Sequence, residues 1–254
     1  MTDLHCHILP GIDDGAKDEA EAVALLKKEY ESGVCKIALT SHYNPESMDL
    51  EQFLFYRQNA YMHMKQAAAA YPVLEKNLLF KLGAEVYFSP KLCEMDAAKL
   101  CLEGTNCMLI ELPVTHKPYY LEQTFYELQS RGIVPIIAHA ERYEFVMKDP
   151  AILYHWGAAG FFVQVNAGTV IRGGRQAKLI RKLLKWNLIQ VISSDVHSIE
   201  HRPPNIEKGL HIVKESIGKD VADRLLQNGD CIFDGDLPDI MDIHYPKKFL
   251  GSWI

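Results

Sequence analysis

The sequence predicts an α/β protein folded as a distorted seven-stranded (β/α)7 TIM-like barrel. Short apolar runs alternate with longer helical patterns seven times along 254 residues. The runs are too apolar to leave one face wet, which describes parallel strands covered by helices. The third observation is positional: residues able to hold a metal cluster at the C-terminal ends of those runs, on the face where a β/α barrel builds its active site.

TDLHCH at the start reads as the first strand. Side chains alternate along an extended chain, so His5 and His7 share one side and Cys6 takes the other. KDEAEAVALLKKEYESG reads as an amphipathic helix, acidic at its start and closed by Gly33. CKIALTSH is a second strand, and residues 49–71 form a long helix. LLFKLGAEVYF and CMLIELP supply strands three and four, followed by the helix YYLEQTFYELQSRG, which ends at Gly132. IVPIIAHAER is strand five, PAILYHWGAAG a helix, FFVQVNAG strand six, GRQAKLIRKLLKWN a helix and LIQVISSDVH strand seven. Helices over 205–217 and 219–228 follow, then an irregular tail over about 240–254. No linker rich in Gly, Ser or Pro divides the chain, so a single domain spanning 1–254 is expected.

The bulk properties narrow the function classes. At 48% hydrophobic residues the chain can bury a large core. A net charge of −6 argues against a nucleic-acid binder or a binder of anionic membranes. No apolar run is long enough to cross a bilayer, so no stable membrane insertion is expected. The start carries no basic and apolar leader, which points to the cytoplasm. The six cysteines have neither CxxC nor zinc-ribbon spacing and read as reduced thiols; Cys6, Cys35 and Cys107 lie in or beside apolar strand-like runs, as small core residues do.

Reading only the strand ends gives the candidate site. Strand one ends in His5 and His7 with Asp14 on the loop beyond, strand two in His42, strand three in Glu85 and strand four in Glu111. Strand five ends in His139, strand six in Asn166, and strand seven in Asp195 and His197. Each has an ordinary explanation alone: His42 as a cap, Glu111 as a solvated residue, Asp195 as the cap of the next helix. No single bland account covers seven strands. His63, His116, His155, His201, His211 and His244 fall on loops or helix faces and read as bystanders. Imidazole and carboxylate without thiolate suit Zn²⁺, Mn²⁺ or Fe. Two or more such ions close together activate water and neutralise a phosphoryl group. Arg142 follows His139 by three residues and Arg202 follows His197 by five, and a guanidinium fork matches phosphate oxygens.

Taken in order, HCHILPGIDDGA, SH at 41–42, AHAERY and SDVHSIEHRPPN resemble the PHP (polymerase and histidinol phosphatase) superfamily. More narrowly they resemble the PHP-type tyrosine-protein phosphatases of capsule and exopolysaccharide operons in Gram-positive bacteria, over essentially the whole chain to the basic and aromatic tail KKFLGSWI. The resemblance implies the PHP fold and a manganese-dependent site of three ions. One ion would take His5, His7, Glu85 and Asp195; a second Glu85, Glu111 and His139; a third Asp14, His42 and His197. It further implies that Arg142 and Arg202 bind phosphate, and that the substrate is the phosphotyrosine tail of a partner tyrosine kinase controlling polymer synthesis. Some relatives form rings, so a homo-oligomer is compatible. Two departures from the family pattern, Ser41-His42-Tyr43 and Ala140, leave the ligand positions intact and bear on the pocket wall.

The expected reaction is in-line hydrolysis of a phosphotyrosine, with charge stabilised by the ions and both arginines and with Asp14, His42 or His197 as the acid. A cysteine mechanism is disfavoured because no cysteine has Arg six positions later. The alternatives are a small-molecule phosphomonoesterase such as a histidinol-phosphate phosphatase, a nuclease, which the acidic charge opposes, and a non-catalytic metal-binding regulatory module.

Overall fold

The computed structural model describes residues 1–240, 242–249, 252 and 253. Its strands are β1 (Thr2–Cys6), β2 (Lys36–Leu39), β3 (His42–Tyr43), β4 (Leu79–Leu82), β5 (Glu85–Tyr87), β6 (Cys107–Glu111), β7 (Val134–Ile137), β8 (Phe162–Asn166) and β9 (Val191–Ser193). A small antiparallel pair, β10 (Lys248–Phe249) and β11 (Ser252–Trp253), lies in the tail. The helices are α1 (Glu19–Glu31), α2 (Leu50–Ala68), α3 (Pro72–Asn77), α4 (Leu121–Ser130), α5 (Glu144–Lys148), α6 (Ala151–Ala158), α7 (Ala167–Arg172), α8 (Gly174–Lys185), α9 (Ile206–Ser216) and α10 (Lys219–Asp234).

Strands β1 to β9 are all parallel, in a three-stranded sheet ordered β1-β2-β4 and a six-stranded sheet ordered β3-β5-β6-β7-β8-β9. The single seven-stranded sheet expected from the sequence is therefore divided, because the second and third expected strands each break once. The breaks lie at one level, at Thr40–Ser41 and at Gly83–Ala84. Leu102 packs closely against the second: a Cβ on Gly83 would sit 2.6 Å from its Cδ2. The segment carrying Leu102 borders β4, with the Glu103 N–H donating to the Leu82 carbonyl at 2.7 Å, whereas β5 above the break pairs directly with β6. Beyond β9, Val196 makes a parallel bridge to Cys6, and the His7 N–H donates to the Val196 carbonyl at 2.9 Å.

Both faces of the six-stranded sheet are largely buried, which is why its strands read as continuous apolar runs, whereas β4 is partly exposed. Leu109 and Ile136 pack with Leu4, Phe162, Val191 and with Ile232 and Phe233 of α10. Met108, Ile110 and Ile137 turn the other way, into a cluster with Phe125 and Leu128 of α4. Cys6 leaves the His5 side and joins Leu25, Leu26 and Ile37, as alternation predicts. Asp18 caps α1 by accepting from the Glu21 N–H at 2.8 Å, and Asp49 caps α2 from the Glu51 N–H at 2.9 Å. Gly33 and Gly132 follow α1 and α4 with φ of 82° and 78°, where glycine is favoured.

Two expectations change here. The last helix runs past 228 to Asp234, where Ile232 and Phe233 are buried against the sheet. The tail is not irregular throughout: β10 and β11 pair, Lys182 hydrogen-bonds the Trp253 carbonyl, and the Trp253 indole donates to the Lys148 carbonyl at 3.3 Å. Met241, Leu250, Gly251 and Ile254 of the tail lie outside the described residues.

Asp3 ties β1 to the chain after β9. Fully buried, it accepts from the His5 N–H at 3.1 Å and from the Ser194 N–H at 3.2 Å to each oxygen. Glu29 of α1 is buried beside it; burial, then the charge of Asp3, pushes its carboxyl well above the usual carboxylate range. Asp3→Ala strips two buried N–H groups of their acceptor, a cost of about 2 kcal/mol or more. The expected result in a thermal melt is a fall on the order of 4 °C or more, with Asp3→Asn, which keeps an acceptor, losing less.

Candidate metal centre and active site

The nine residues picked from the strand ends meet at one place. His5 Nε2 lies 3.1 Å from His7 Nε2 and 3.2 Å from Glu85 Oε2. Glu85 Oε2 is also 3.2 Å from His7 Nε2 and 3.0 Å from His42 Nδ1, while its Oε1 is 2.8 Å from His139 Nε2. Glu111 Oε1 is 3.5 Å from His139 Nε2. Asp195 Oδ1 is 3.5 Å from His5 Nε2 and 3.4 Å from His197 Nδ1. Asp14 Oδ1 completes the set, 3.4 Å from His42 Nε2 and 3.3 Å from His197 Nε2.

Local backbone geometry makes this convergence possible. His139 and Asp195 both have positive φ, 29° and 55°, a conformation that non-glycine residues adopt only when their surroundings enforce it. Each kinks the chain as it leaves its strand. The loop bearing Asp13 and Asp14 folds back on β1, with the Ala16 N–H donating to the His7 carbonyl at 3.1 Å. Gly15 permits this fold: a Cβ there would lie 2.0 Å from the His7 carbonyl oxygen.

Three residues outside these nine support them: Asp13 and Gln164 face imidazoles, and Asn166, the end of the sixth expected strand, holds Asp195. Asp13 Oδ2 takes the His7 Nδ1–H at 2.8 Å and the His42 N–H at 3.0 Å. Gln164 Oε1 faces His5 Nδ1 at 3.3 Å and accepts the His139 N–H at 2.6 Å. Asn166 accepts from Gln164 at 2.8 Å and donates to Asp195 Oδ2 at 2.7 Å. The His197 Nδ1–H goes to the Asp195 carbonyl at 2.9 Å. With Nδ1 of His5, His7 and His197 engaged by these oxygens, each Nε2 is directed into the cluster, the arrangement of a metal ligand supported from behind. Gln164 and Asn166 left a trace in the sequence, as polar residues at alternate positions of an apolar strand. Asp13 left none that separates it from Asp14.

The electrostatics agree. Burial opposes charge throughout, yet the field of Asp13 and Glu85 holds His7 protonated up to about 10. The Glu85 carboxyl lies well below its usual range despite burial, held there by His5 and the other imidazoles. Burial, helped by the charge of Glu85, pushes Glu111 up to about 7. Burial and the neighbouring His7 push His197 down to about 4. Such a set draws positive charge in, and buried polar atoms remain without a well-aligned hydrogen bond: Glu85 Oε2, His139 Nδ1 and His197 Nε2. His5 Nε2 and His7 Nε2, 3.1 Å apart, both face Glu85 Oε2 at 3.2 Å. The donor set fits divalent cations.

The donor atoms fall into groups lying within 4.8 Å of one another: His5, His7 and Asp195; His7, Asp14, His42 and His197; and His42, Glu85 and Glu111. Arg142 Nη2 lies 2.5 Å from Asp195 Oδ2, and Arg202 reaches Asp195 Oδ2 and Asp14 Oδ2, both at 3.3 Å. The Arg202 carbonyl accepts the His197 N–H at 3.0 Å, which presents its side chain at the edge of the cluster.

Two clefts flank the centre. One, of about 370 Å³, is lined by Asp14, His42, Tyr43, Asn44, Tyr87 and Glu111. The other, of about 250 Å³, lies on the arginine side. His201 lines the second cleft, whereas His63, His116, His155, His211 and His244 line neither. Of the family departures only Tyr43 lines a cleft; Ser41 and Ala140 are buried and line neither.

The chain matches the family model "Capsular polysaccharide synthesis, CpsB/CapC" over residues 1–234. It belongs to the CpsB/CapC family. It is 31% identical to the tyrosine-protein phosphatase YwqE of Bacillus subtilis (strain 168), the match covering 91% of each chain. It is 30% identical to the putative tyrosine-protein phosphatase CapC of Staphylococcus aureus, again over 91% of each. With the tyrosine-protein phosphatase CpsB of Streptococcus pneumoniae the identity is 29%, over 89% of this chain and 94% of the relative. A solved chain from the study of YwqE and CpsB, termed unique metal-dependent tyrosine phosphatases, superposes with a TM-score of 0.88 at 28% identity. That match covers 98% of this chain and 100% of the other.

Among the described residues no cysteine lines either cleft of this CpsB/CapC chain. Burial pushes the Cys101 and Cys107 thiols up to about 12 and Cys6 well above its usual value, whereas Cys35 is exposed. Iodoacetamide at pH 8 is expected to label Cys35 first and to reach Cys6, Cys101 and Cys107 only on unfolding, as followed by peptide mass spectrometry.

Proposed function

We propose that the protein is a metal-dependent protein-tyrosine phosphatase of capsule or exopolysaccharide synthesis, hydrolysing phosphotyrosine on the tail of a partner tyrosine kinase. The observation that carries this reading is the meeting of nine imidazole and carboxylate side chains, drawn from 5 to 197, beside two arginines. The names of the relatives, tyrosine phosphatases that are metal-dependent where a structure is solved, support the same assignment.

Three manganese ions are the proposed cofactor, with zinc or iron as substitutes. His5, His7, Glu85 and Asp195 would hold one, Glu85, Glu111 and His139 a second, and Asp14, His42 and His197 a third. The spatial groups support the first and third sets, with His7 able to reach both; His42 lies near Glu85 and Glu111 as well. Bound divalent cations supply Lewis acidity, making water a nucleophile near neutral pH and offsetting phosphoryl charge. The chain's own residues do the rest. Arg142 and Arg202 bind the non-bridging oxygens and stabilise charge as it grows. Asp13 and Gln164 fix the rings of His7 and His5. The phenolate leaving group, with a parent pKa of about 10, needs little help from an acid. Asp14, its side chain 63% exposed at the lip of the cluster, is placed to carry that proton, with His42 and His197 in contact.

We read the two parallel sheets as one distorted seven-stranded barrel of the PHP type. The Cys6–Val196 bridge and the shared level of the two strand breaks support that reading. The chain is taken as one domain over 1–254, acting in the cytoplasm; among the described residues no helix is long and apolar enough to cross a membrane.

Turnover of a phosphotyrosine peptide with added Mn²⁺ tests the reading against histidinol phosphate. The expected result is clear preference for the peptide and loss of at least 99% of activity in His139→Ala, in line with about 10²-fold or larger effects of removing charge-stabilising groups. Preference for histidinol phosphate, or phosphopeptide binding without phosphate release, rejects it. Asp13→Ala is expected to weaken Mn²⁺ binding by about 10- to 100-fold in a calorimetric titration, because His7 loses the partner that sets its tautomer.

A further inference from the structure

The cavity of about 250 Å³ on the arginine side contains none of the nine clustered imidazoles and carboxylates. Arg142 and Arg202, which both contact Asp195, form its boundary with the centre. Beyond them its lining adds Arg172, Lys208 and His201. Among the described residues no Asp or Glu lines this cavity, and neither Arg172 nor Lys208 has a carboxylate partner. Arg172 makes one recorded side-chain hydrogen bond, to Thr169 Oγ1 at 3.1 Å, which fixes one edge of its guanidinium and leaves the other available. Lys208 stands in the first turn of α9, a helix whose N-cap Asn205 makes no capping hydrogen bond with its side chain. The free N–H groups of that turn add to the positive field.

The opposite cleft differs in kind. It is lined by the candidate ligands Asp14, His42 and Glu111 and by Tyr43 and Tyr87, so it opens onto the cluster itself. A chain of net charge −6 has thus placed four cationic side chains around one concavity next to its reaction centre. Concave sites of one sign raise the local concentration of the opposite sign. Resting on the phosphatase reading, we propose that this cavity is a second-anion subsite, which holds an oxyanion carried by the same substrate within about two residues of the scissile phosphotyrosine. Arg172 and Lys208 are its specificity-determining residues. The cavity adjoins the cluster through Arg142 and Arg202, and in an extended peptide consecutive Cα atoms are about 3.8 Å apart with alternate side chains on one face, so the side chain two residues from the phosphotyrosine is the one directed to the same side. Carboxylate and phosphate share the required chemistry, and Arg favours either through paired N–H donors.

The test uses the full chain with Mn²⁺ and three peptides of one sequence, with phosphotyrosine flanked by alanines, by glutamates or by a second phosphotyrosine. Each is measured on wild type and on the double variant Arg172→Ala/Lys208→Ala. 4-Nitrophenyl phosphate, which has no second anion, is measured in parallel. The wild type is expected to favour an anion-flanked peptide over the alanine peptide by about tenfold or more in kcat/KM, through KM, the size of one charged hydrogen bond. The double variant is expected to bring that ratio close to one. The glutamate and phosphotyrosine arms tell whether carboxylate or phosphate is preferred. Affinity is also read with a non-hydrolysable phosphonate version of each peptide, so the subsite is measured even if turnover fails. Absence of turnover on every substrate overturns the phosphatase reading. Equal wild-type affinity for all three phosphonates, or an equal fractional loss on every substrate in the double variant, overturns the subsite.

Discussion

Glu85 is the constraint on which the centre depends. Its carboxylate is fully buried, and its two oxygens lie within 3.2 Å of imidazole nitrogens on His5, His7, His42 and His139. Burying a carboxylate without compensating charge or hydrogen bonds is prohibitively unfavourable. Three strands, β1, β3 and β7, therefore deliver four histidines to the same spot. The converse also holds, because histidines packed ring against ring, such as His7 and His197 with centroids 3.8 Å apart, need a negative centre to face.

The broken strands follow from the same requirement. Thr40–Ser41 and Gly83–Ala84 interrupt two neighbouring strands at one level, and each strand resumes with a site residue. His42 and Glu85 are the first residues of β3 and β5, and they are register partners. The break lets the chain re-aim those two side chains while pairing continues above and below. At β7 and β9 the same result comes from left-handed residues, His139 and Asp195, immediately past the strand ends. Asp3 beneath and the folded-back loop at Gly15 above hold β1 while its histidines point into the cluster.

The centre is asymmetric in charge. One side offers carboxylates, imidazoles and two tyrosines; the other offers guanidinium and ammonium groups. Asp195 stands at the divide, with His5 and His197 on one flank and Arg142 and Arg202 on the other, and the charges of His5 and Arg142, then His7 and His139, keep its carboxyl well below the usual range in spite of burial. A phosphate ester, negative and tetrahedral, is the kind of ligand that a site divided in this way can hold from both sides.

The sequence by itself determined which chemistry is available and where along the chain it lies. Strand ends carrying His, Asp and Glu are legible because strands announce themselves by apolar runs, and helix limits such as Gly33 and Gly132 by local capping. Only the tertiary structure decided which atoms meet. The strand break at Gly83 lies against Leu102, a contact with no local signature. Asp13 rather than Asp14 supports His7 because of the way the loop folds over β1. The left-handed turns at His139 and Asp195 run against local preference and persist because surrounding packing and ion pairs enforce them. Residue type and strand period are properties of neighbours in sequence, whereas the orientation of a buried imidazole is set by partners as much as 159 residues away, as with His5 and Gln164.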